Sequence, residues 1–170
     1  TLTQLDMVSA SFSGLYEATQ RNVNSDLMLL TGEIDKLGMP SLDSSAMVDM
    51  TITNQVTKAT EDVSIPTLRF GGLVVNKDTA FVDRIKEMAG GGTVTIFQVL
   101  PGKLLRVSTN VLKLDGARAT GTYIPSDSPV YKTVMSGETF RGKAYVVNAW
   151  YSTAYAPMRS LGGDIVAVVY

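Results

Sequence analysis

Two arginines in the stretch RVSTNVLKLDGARATGTYIP, residues 106–125, are candidates for binding an anion. Arg106 lies in a predicted strand, and Arg118 lies in the polar loop that follows it. A guanidinium presents a planar fork of N–H donors that fits a carboxylate in a bidentate manner. Either arginine could therefore hold a small anion, although arginines in or beside strands are more often solvated or paired with an acidic side chain. The sequence leaves both explanations open.

Alternation along the predicted strands adds further polar groups. Successive residues of a strand point to opposite faces of the sheet, so Arg106 is separated from the apolar face of Leu105 and Val107. A later segment is predicted to place four polar side chains together on one face: Lys143, Tyr145, Tyr151 and Thr153. A sheet face that carries cations and phenol groups is either exposed to water or lines a pocket for a small anion.

The residue types present exclude several classes of function. Fifteen Lys and Arg residues against sixteen Asp and Glu residues give a net charge of −1. This argues against a nucleic-acid-binding protein, because such proteins carry a basic excess on one face. The chain has neither cysteine nor histidine, which excludes disulfides, thiolate metal sites and histidine-dependent catalysis. No cofactor is predicted, and an enzyme would need a Ser–Lys or paired-carboxylate site that no spacing suggests.

One long helix is predicted to begin the domain that positions these side chains. Apolar residues recur at steps of three and four from Leu5 to Leu37, and Gly38 and Pro40 end the pattern. At about 1.5 Å per residue, such a helix is about 50 Å long. Because this apolar stripe exceeds what one sheet face can cover, we expect the half that contains Phe12 and Leu15 to pair with a second copy.

The remaining residues are predicted to form a sheet with two short helices. Residues 41–75 show the loose alternation of short strands, and residues 78–91 and 126–137 have the caps of short helices. TVTIFQVL and KLLRVSTNV are predicted to form a hairpin around Pro101 and Gly102. KAYVVNAWYSTAYAPM can supply one long strand or two with a bend, and GGDIVAVVY supplies the last strand. The sequence therefore predicts an α+β domain with five strands, the long helix on one face, and short helices and loops over the other.

Four stretches follow one another at the spacing seen in single-Cache sensor domains: FVDRIKEMAGGGTVTIFQ, RVSTNVLKLDGARATGTYIP, SPVYKTVMSGETFRGKAYV and WYSTAYAPMRSLGGDIVAVVY. The chain resembles the merged Cache 3/Cache 2 type, which occurs outside the membrane in bacterial methyl-accepting chemotaxis receptors and sensor kinases. The resemblance is best over residues 75–170, and the long helix with IPTLRFGG fits the N-terminal part. It implies a PAS-like five-stranded antiparallel sheet, with the long helix on one face and a ligand pocket on the other.

The resemblance also implies a ligand and a set of binding residues. Related sensors bind small organic acids or amino acids, and the positions that hold the carboxylate in such sensors correspond to Arg118 and the pair Tyr151 and Thr153. Those sensors often have Arg or His where this chain has Thr153 and Gly121. The chain therefore has fewer cationic groups at these positions, and this difference favours a small acid such as acetate, propionate, pyruvate or lactate. The expected ligand-binding residues are Arg118, Arg106, Tyr151, Thr153, Tyr145 and Lys143.

The sequence thus predicts a single sensor domain over residues 1–170, with a long helix over 1–38 and a PAS-like body over 41–170. It would bind its ligand in the periplasm, without catalysis, as part of an inner-membrane chemotaxis receptor that is a homodimer at full length. No apolar run approaches the ~20 residues of a membrane span. The resemblance, together with the absence of cysteine and the buried strand at the end of the sequence, implies that membrane spans of the parent protein flank the domain. Two alternatives are the sensor domain of a histidine kinase or cyclase, and a pilin-like structural subunit.

Overall fold

A long helix, α1 (Gln4–Leu37), begins the fold of this computed structural model. The structure describes residues 4–147 and 149–170, and for residues 5–6, 8–21 and 149 it describes the backbone alone. Among the side chains of α1 that the structure describes, those of Leu27, Leu30 and Ile34 are buried. The helix stops at Gly38, which has a φ of +131°. A Cβ at Gly38 would clash with the backbone of Gly71, and a Cβ at Gly71 would clash with the carbonyl group of Leu37.

Nine strands of the described residues form one sheet in the order β3-β2-β1-β6-β5-β4-β9-β8-β7. All neighbouring strands pair antiparallel except β1 and β6, which are parallel. The strands are β1 (Pro40–Asn54), β2 (Thr60–Phe70), β3 (Leu73–Val74), β4 (Thr95–Leu100), β5 (Lys103–Thr109), β6 (Thr122–Pro125), β7 (Phe140–Val146), β8 (Ala149–Arg159) and β9 (Ile165–Val169). Two short helices, α2 (Ala80–Ala89) and α3 (Pro129–Met135), complete the α+β architecture, which confirms the predicted class.

The predicted number of five strands is wrong, mainly because of the segment before α2. Residues 40–70 form a long β-hairpin, in which β1 and β2 pair from Pro40 opposite Phe70 to Thr53 opposite Thr60. Most residues of β1 are exposed or half-exposed, so their polar composition resembles that of a loop. The hairpin therefore shows only loose alternation, which predicted short strands and not the two long ones.

The sheet carries an apolar core on each face. On one face, α1 and α2 pack against strand residues that include Ile96, Leu105 and Val107. On the other face, α3 and the strands form a second cluster. Val130 and Val134 of α3 pack there with Phe97, Leu104, Ile124, Ala144, Tyr155 and Val168. Alternation along β5 thus directs Leu105 and Val107 toward the long helix and directs Leu104 and Arg106 toward α3.

Candidate ligand-binding site

Arg106 lies inside the core that α3 covers, and its side chain is completely buried. Its register partner on β4 is Phe97, and the guanidinium carbon lies 5.0 Å from the centroid of that ring. Burying a charged group away from water costs free energy unless it is paired or fully hydrogen-bonded. The position of Arg106 therefore requires an account of every donor on its guanidinium.

Only two neutral acceptors contact the Arg106 guanidinium among the described residues. Nη1 donates to the hydroxyl oxygen of Thr122 at 3.0 Å, and Nη2 donates to the amide oxygen of Gln55 at 2.9 Å. Nε is buried, and no acceptor in the described part of the chain reaches it. No carboxylate in the described part of the chain lies within 4.0 Å of this guanidinium.

The electrostatics of this position favour the binding of an anion. Burial lowers the pKa of Arg106 to about 10, so the side chain is still protonated at neutral pH. The core therefore contains a positive charge whose counter-charge is not supplied by the described protein groups. A small anion that reached Nε would complete the hydrogen bonds of the guanidinium and neutralise its charge.

A second unpaired donor lies in the same core, on Tyr155 of β8. Its hydroxyl is buried without a hydrogen-bond partner, and its ring contacts that of Phe97, with the centroids 5.8 Å apart. Phe140 and Tyr170 lie against the same ring at 6.1 and 4.8 Å. Burial raises the pKa of Tyr155, so the phenol stays neutral and can donate a hydrogen bond.

A cavity of about 310 Å³ lies on the same face of the sheet. Gln55 lines this cavity and also contacts Arg106, so a single side chain connects the two. The apolar part of the lining includes Ile124, Val130 and Phe140, which also belong to the core around Tyr155 or pack against it. At its mouth lie Tyr145 and Trp150, whose rings meet edge to face at 5.8 Å. The volume is at the small end of the range of ligand pockets in proteins.

Arg118 is placed differently, in an ion pair with Asp83 of α2. Its Nη1 and Nη2 donate to the two carboxylate oxygens at 2.8 and 2.6 Å, and Nη1 also donates to the carbonyl oxygen of Thr109 at 2.9 Å. This pairing lowers the pKa of Asp83. Arg118 lines a shallow groove beside α2 with Asn110 and does not line the cavity next to Gln55. The structure therefore does not bring Arg118 and Arg106 together.

The predicted face of Lys143, Tyr145, Tyr151 and Thr153 is wrong. Opposed residues of an antiparallel pair share a face, and here Tyr145 opposes Trp150 whereas Tyr151 opposes Ala144. The prediction treated the segment as continuous, but β7 ends at Val146 and Val147 adopts a φ of +55° in a turn. The turn changes the alternation, so the two residues of β7 and the two of β8 lie on opposite faces.

The four side chains consequently have different surroundings. Lys143 and Tyr145 line the 310 Å³ cavity. Tyr151 lines a separate cavity of about 200 Å³ beside α1. Thr153 is fully buried and donates a hydrogen bond to the carbonyl oxygen of Gly142 at 2.8 Å.

A family model of the Cache 3/Cache 2 fusion domain matches residues 2–170. The chain belongs to this family. Cache domains are extracytoplasmic sensor domains of signalling proteins, and they bind ligands rather than catalyse reactions. This confirms the resemblance found in the sequence. No curated protein and no solved structure matches the chain significantly, and no helix of the described residues is long and apolar enough to cross a membrane.

Two residues of this Cache domain that contribute to the candidate site could not be selected from the sequence. Tyr155 has a buried, unpaired hydroxyl, yet it looked like one of several tyrosines in a long apolar segment. Gln55 follows a strand whose polar composition resembled a loop, and it reaches Arg106 because β1 pairs with β6, far away in sequence. The sequence did point to Arg106, which interrupts the apolar residues Leu104, Leu105 and Val107 of β5, and to Lys143 and Tyr145, which line the cavity.

Proposed function

We propose that this Cache domain senses a small organic acid whose carboxylate binds to Arg106. The observation that carries the proposal is a fully buried, protonated guanidinium whose Nε has no acceptor and which no described carboxylate neutralises. The Tyr155 hydroxyl, also buried and unpaired, would donate a second hydrogen bond to the same anion. A carboxylate would thus satisfy two donors and one charge at once.

The dimensions of the site favour an acid of a few carbon atoms. The cavity has a volume of about 310 Å³, and its apolar side chains Ile124, Val130 and Phe140 would contact a short carbon chain. Acetate, propionate, pyruvate and lactate fit these requirements. Lys143 and Tyr145 line the outer part of the cavity, where they would contact a polar substituent of the acid.

Thermal unfolding in the presence of small acids tests this proposal. A ligand that binds only the folded state stabilises it by about 2.7 kcal/mol at one hundred times its Kd. The domain is heated with formate, acetate, propionate, pyruvate or lactate at constant ionic strength, and sodium chloride serves as the control. We expect at least one acid to raise the melting temperature above the chloride control in a saturable manner. If none does, this domain does not sense a small carboxylate.

We also propose that the parent protein is a chemotaxis receptor of the inner membrane, with this domain in the periplasm. This rests on the resemblance described above, and membership of a sensor family argues against the pilin-like alternative. The parent gene should encode ~20-residue apolar segments on both sides of the domain and a methyl-accepting signalling region. A kinase or cyclase region in its place would support the remaining alternative.

The homodimer expected of the full-length receptor is tested by disulfide crosslinking. The apolar stripe of α1 that contains Phe12 and Leu15 is the proposed contact, although these two side chains lie outside those that the structure describes. Single cysteines at either position should crosslink in membranes that contain the intact receptor, because the membrane spans hold two copies at high effective concentration. Failure of both positions to crosslink would contradict a dimer through this face.

A further inference from the structure

Gln55 lies at the boundary between the cavity and the buried guanidinium. It follows β1 directly and is 6% exposed. Its backbone N–H donates to the carbonyl oxygen of Tyr123 at 3.1 Å, and its own carbonyl oxygen accepts from Nζ of Lys58 at 2.7 Å. The backbone of Gln55 is therefore held on both sides, so that a change of side-chain rotamer is sufficient to move its amide group.

The atom that Gln55 presents to Arg106 is chemically the neutral counterpart of a carboxylate oxygen. A guanidinium can only donate hydrogen bonds, so the amide oxygen, Oε1, must face Nη2, as it does at 2.9 Å. An amide oxygen accepts one hydrogen bond in the same geometry as a carboxylate oxygen but carries no net charge. It therefore satisfies one donor of Arg106 and leaves the positive charge unneutralised.

The two relevant donors of Arg106 belong to one edge of its guanidinium. Nε and Nη2 point in the same direction and form the pair of N–H groups that a carboxylate binds side-on. Nη1 lies on the other side and donates to Thr122. At present Gln55 occupies Nη2, and Nε beside it is buried without an acceptor. A carboxylate bound to this edge therefore uses the same nitrogen, Nη2, that donates to Gln55.

We propose that Gln55 is an internal substitute for the ligand, which the ligand carboxylate displaces from Nη2 when it binds to the Nε–Nη2 edge. This inference rests on the proposed function and adds a determinant of affinity to it. In the empty state Gln55 fixes the orientation of the guanidinium. On binding, the ligand must replace the hydrogen bond of Gln55, so Gln55 sets the concentration at which the sensor responds.

Two nearly isosteric substitutions of Gln55 are expected to change the affinity for the ligand in opposite directions. Gln55→Met keeps the volume but removes the competing oxygen, and the affinity for the acids of the panel should rise about tenfold, the value of one hydrogen bond to a charged group. Gln55→Glu places a carboxylate on Nη2, and the affinity for every acid should fall at least about 100-fold. Affinities are measured by calorimetric titration of formate, acetate, propionate, pyruvate and lactate.

The melting temperature of the ligand-free domain is measured alongside these titrations. Gln55→Glu should raise the melting temperature of the empty domain at neutral pH, because it neutralises Arg106. The same substitution in an Arg106→Met background should lower the melting temperature, because the new carboxylate then has no partner.

The possible failures are distinguishable. If the Gln55→Met variant binds acids more weakly than the wild type, Gln55 holds the ligand and is not its substitute. If Gln55→Glu binds as tightly as the wild type, the ligand does not use this edge of Arg106. Either result overturns the inference and leaves the wild type a carboxylate sensor. If neither the wild type nor Gln55→Met binds any acid, the proposed function is wrong, and the inference is wrong with it.

Discussion

At the scale of single residues, the core formed by the described residues contains two buried polar atoms without a hydrogen-bond partner. Nε of Arg106 and the hydroxyl of Tyr155 are both buried and unpaired. An unsatisfied buried polar group typically costs about 1–3 kcal/mol, so each lowers the stability of the empty domain. Groups that are unfavourable without a ligand and satisfied with one are expected where a protein is selected for binding rather than for stability.

The substitution Tyr155→Phe distinguishes the effect of the Tyr155 hydroxyl on stability from its effect on ligand affinity. The substitution removes a hydroxyl that has no partner, so the empty domain should be as stable as the wild type or more stable by about 1 kcal/mol. The affinity for the sensed acid should fall about tenfold, because the ligand loses one hydrogen bond. Denaturant unfolding and calorimetric titration measure the two effects. A variant that is less stable and binds normally would show that the hydroxyl is structural.

At the scale of helices and strands, local patterns predicted some elements and missed others. The α1, α2 and α3 helices and the β4–β5 hairpin follow from apolar spacing, caps and a Pro-Gly turn. The β1–β2 hairpin was predicted only as short strands, because its exposed residues show no more than loose alternation. Arg106, Lys143 and Tyr145 of the candidate site were predicted, whereas Gln55 was not, since it arrives by the non-local pairing of β1 with β6. Such pairings leave no local signal in a sequence.

Arg118 connects α2 with the end of β5, and its removal should have a small, pH-dependent effect. Because Arg118 and Asp83 are both partly exposed, Arg118→Met should lower stability by at most about 1 kcal/mol at neutral pH. The folded-state pKa of Asp83 is lowered by Arg118, so the stabilisation is complete above the unfolded-state pKa of about 3.9. It is lost as the pH falls through the lower folded-state value.

Denaturant unfolding of the wild type and Arg118→Met between neutral pH and pH 3 checks this expectation. The difference in unfolding free energy should shrink as the pH falls. A difference that is independent of pH would show that Arg118 acts through packing and not through its charge.

The junction between α1 and the β2–β3 turn should tolerate no side chain at Gly71. A Cβ at Gly71 would overlap the carbonyl oxygen of Leu37, and the residue has a φ of +57°. Gly71→Ala should therefore cost about 1–3 kcal/mol of stability, as overpacking does elsewhere. Gly72→Ala is the matched control, because its Cβ would meet no atom within 4 Å. Equal effects of the two substitutions in thermal unfolding would contradict a close-packed junction.

At the scale of the whole molecule, the sheet separates the proposed ligand site from the long helix. Arg106 faces the core under α3, and the adjacent residues Leu105 and Val107 face the core under α1. A ligand shifts a conformational equilibrium only through its different affinity for the two states. Since β5 contributes residues to both cores, a change in its arrangement would connect the proposed anion site with the helix.

The central claim, that Arg106 is the ligand-binding cation, is tested most directly by calorimetric titration of matched variants. The acid that most stabilises the wild type is titrated into the wild type, Arg106→Met and Arg118→Met. We expect Arg106→Met to remain folded, since it removes a buried charge that lacks a counter-charge, and to lose about 2–5 kcal/mol of binding free energy. Arg118→Met should bind like the wild type. Retained affinity in Arg106→Met together with lost affinity in Arg118→Met would contradict this account and assign the site to Arg118.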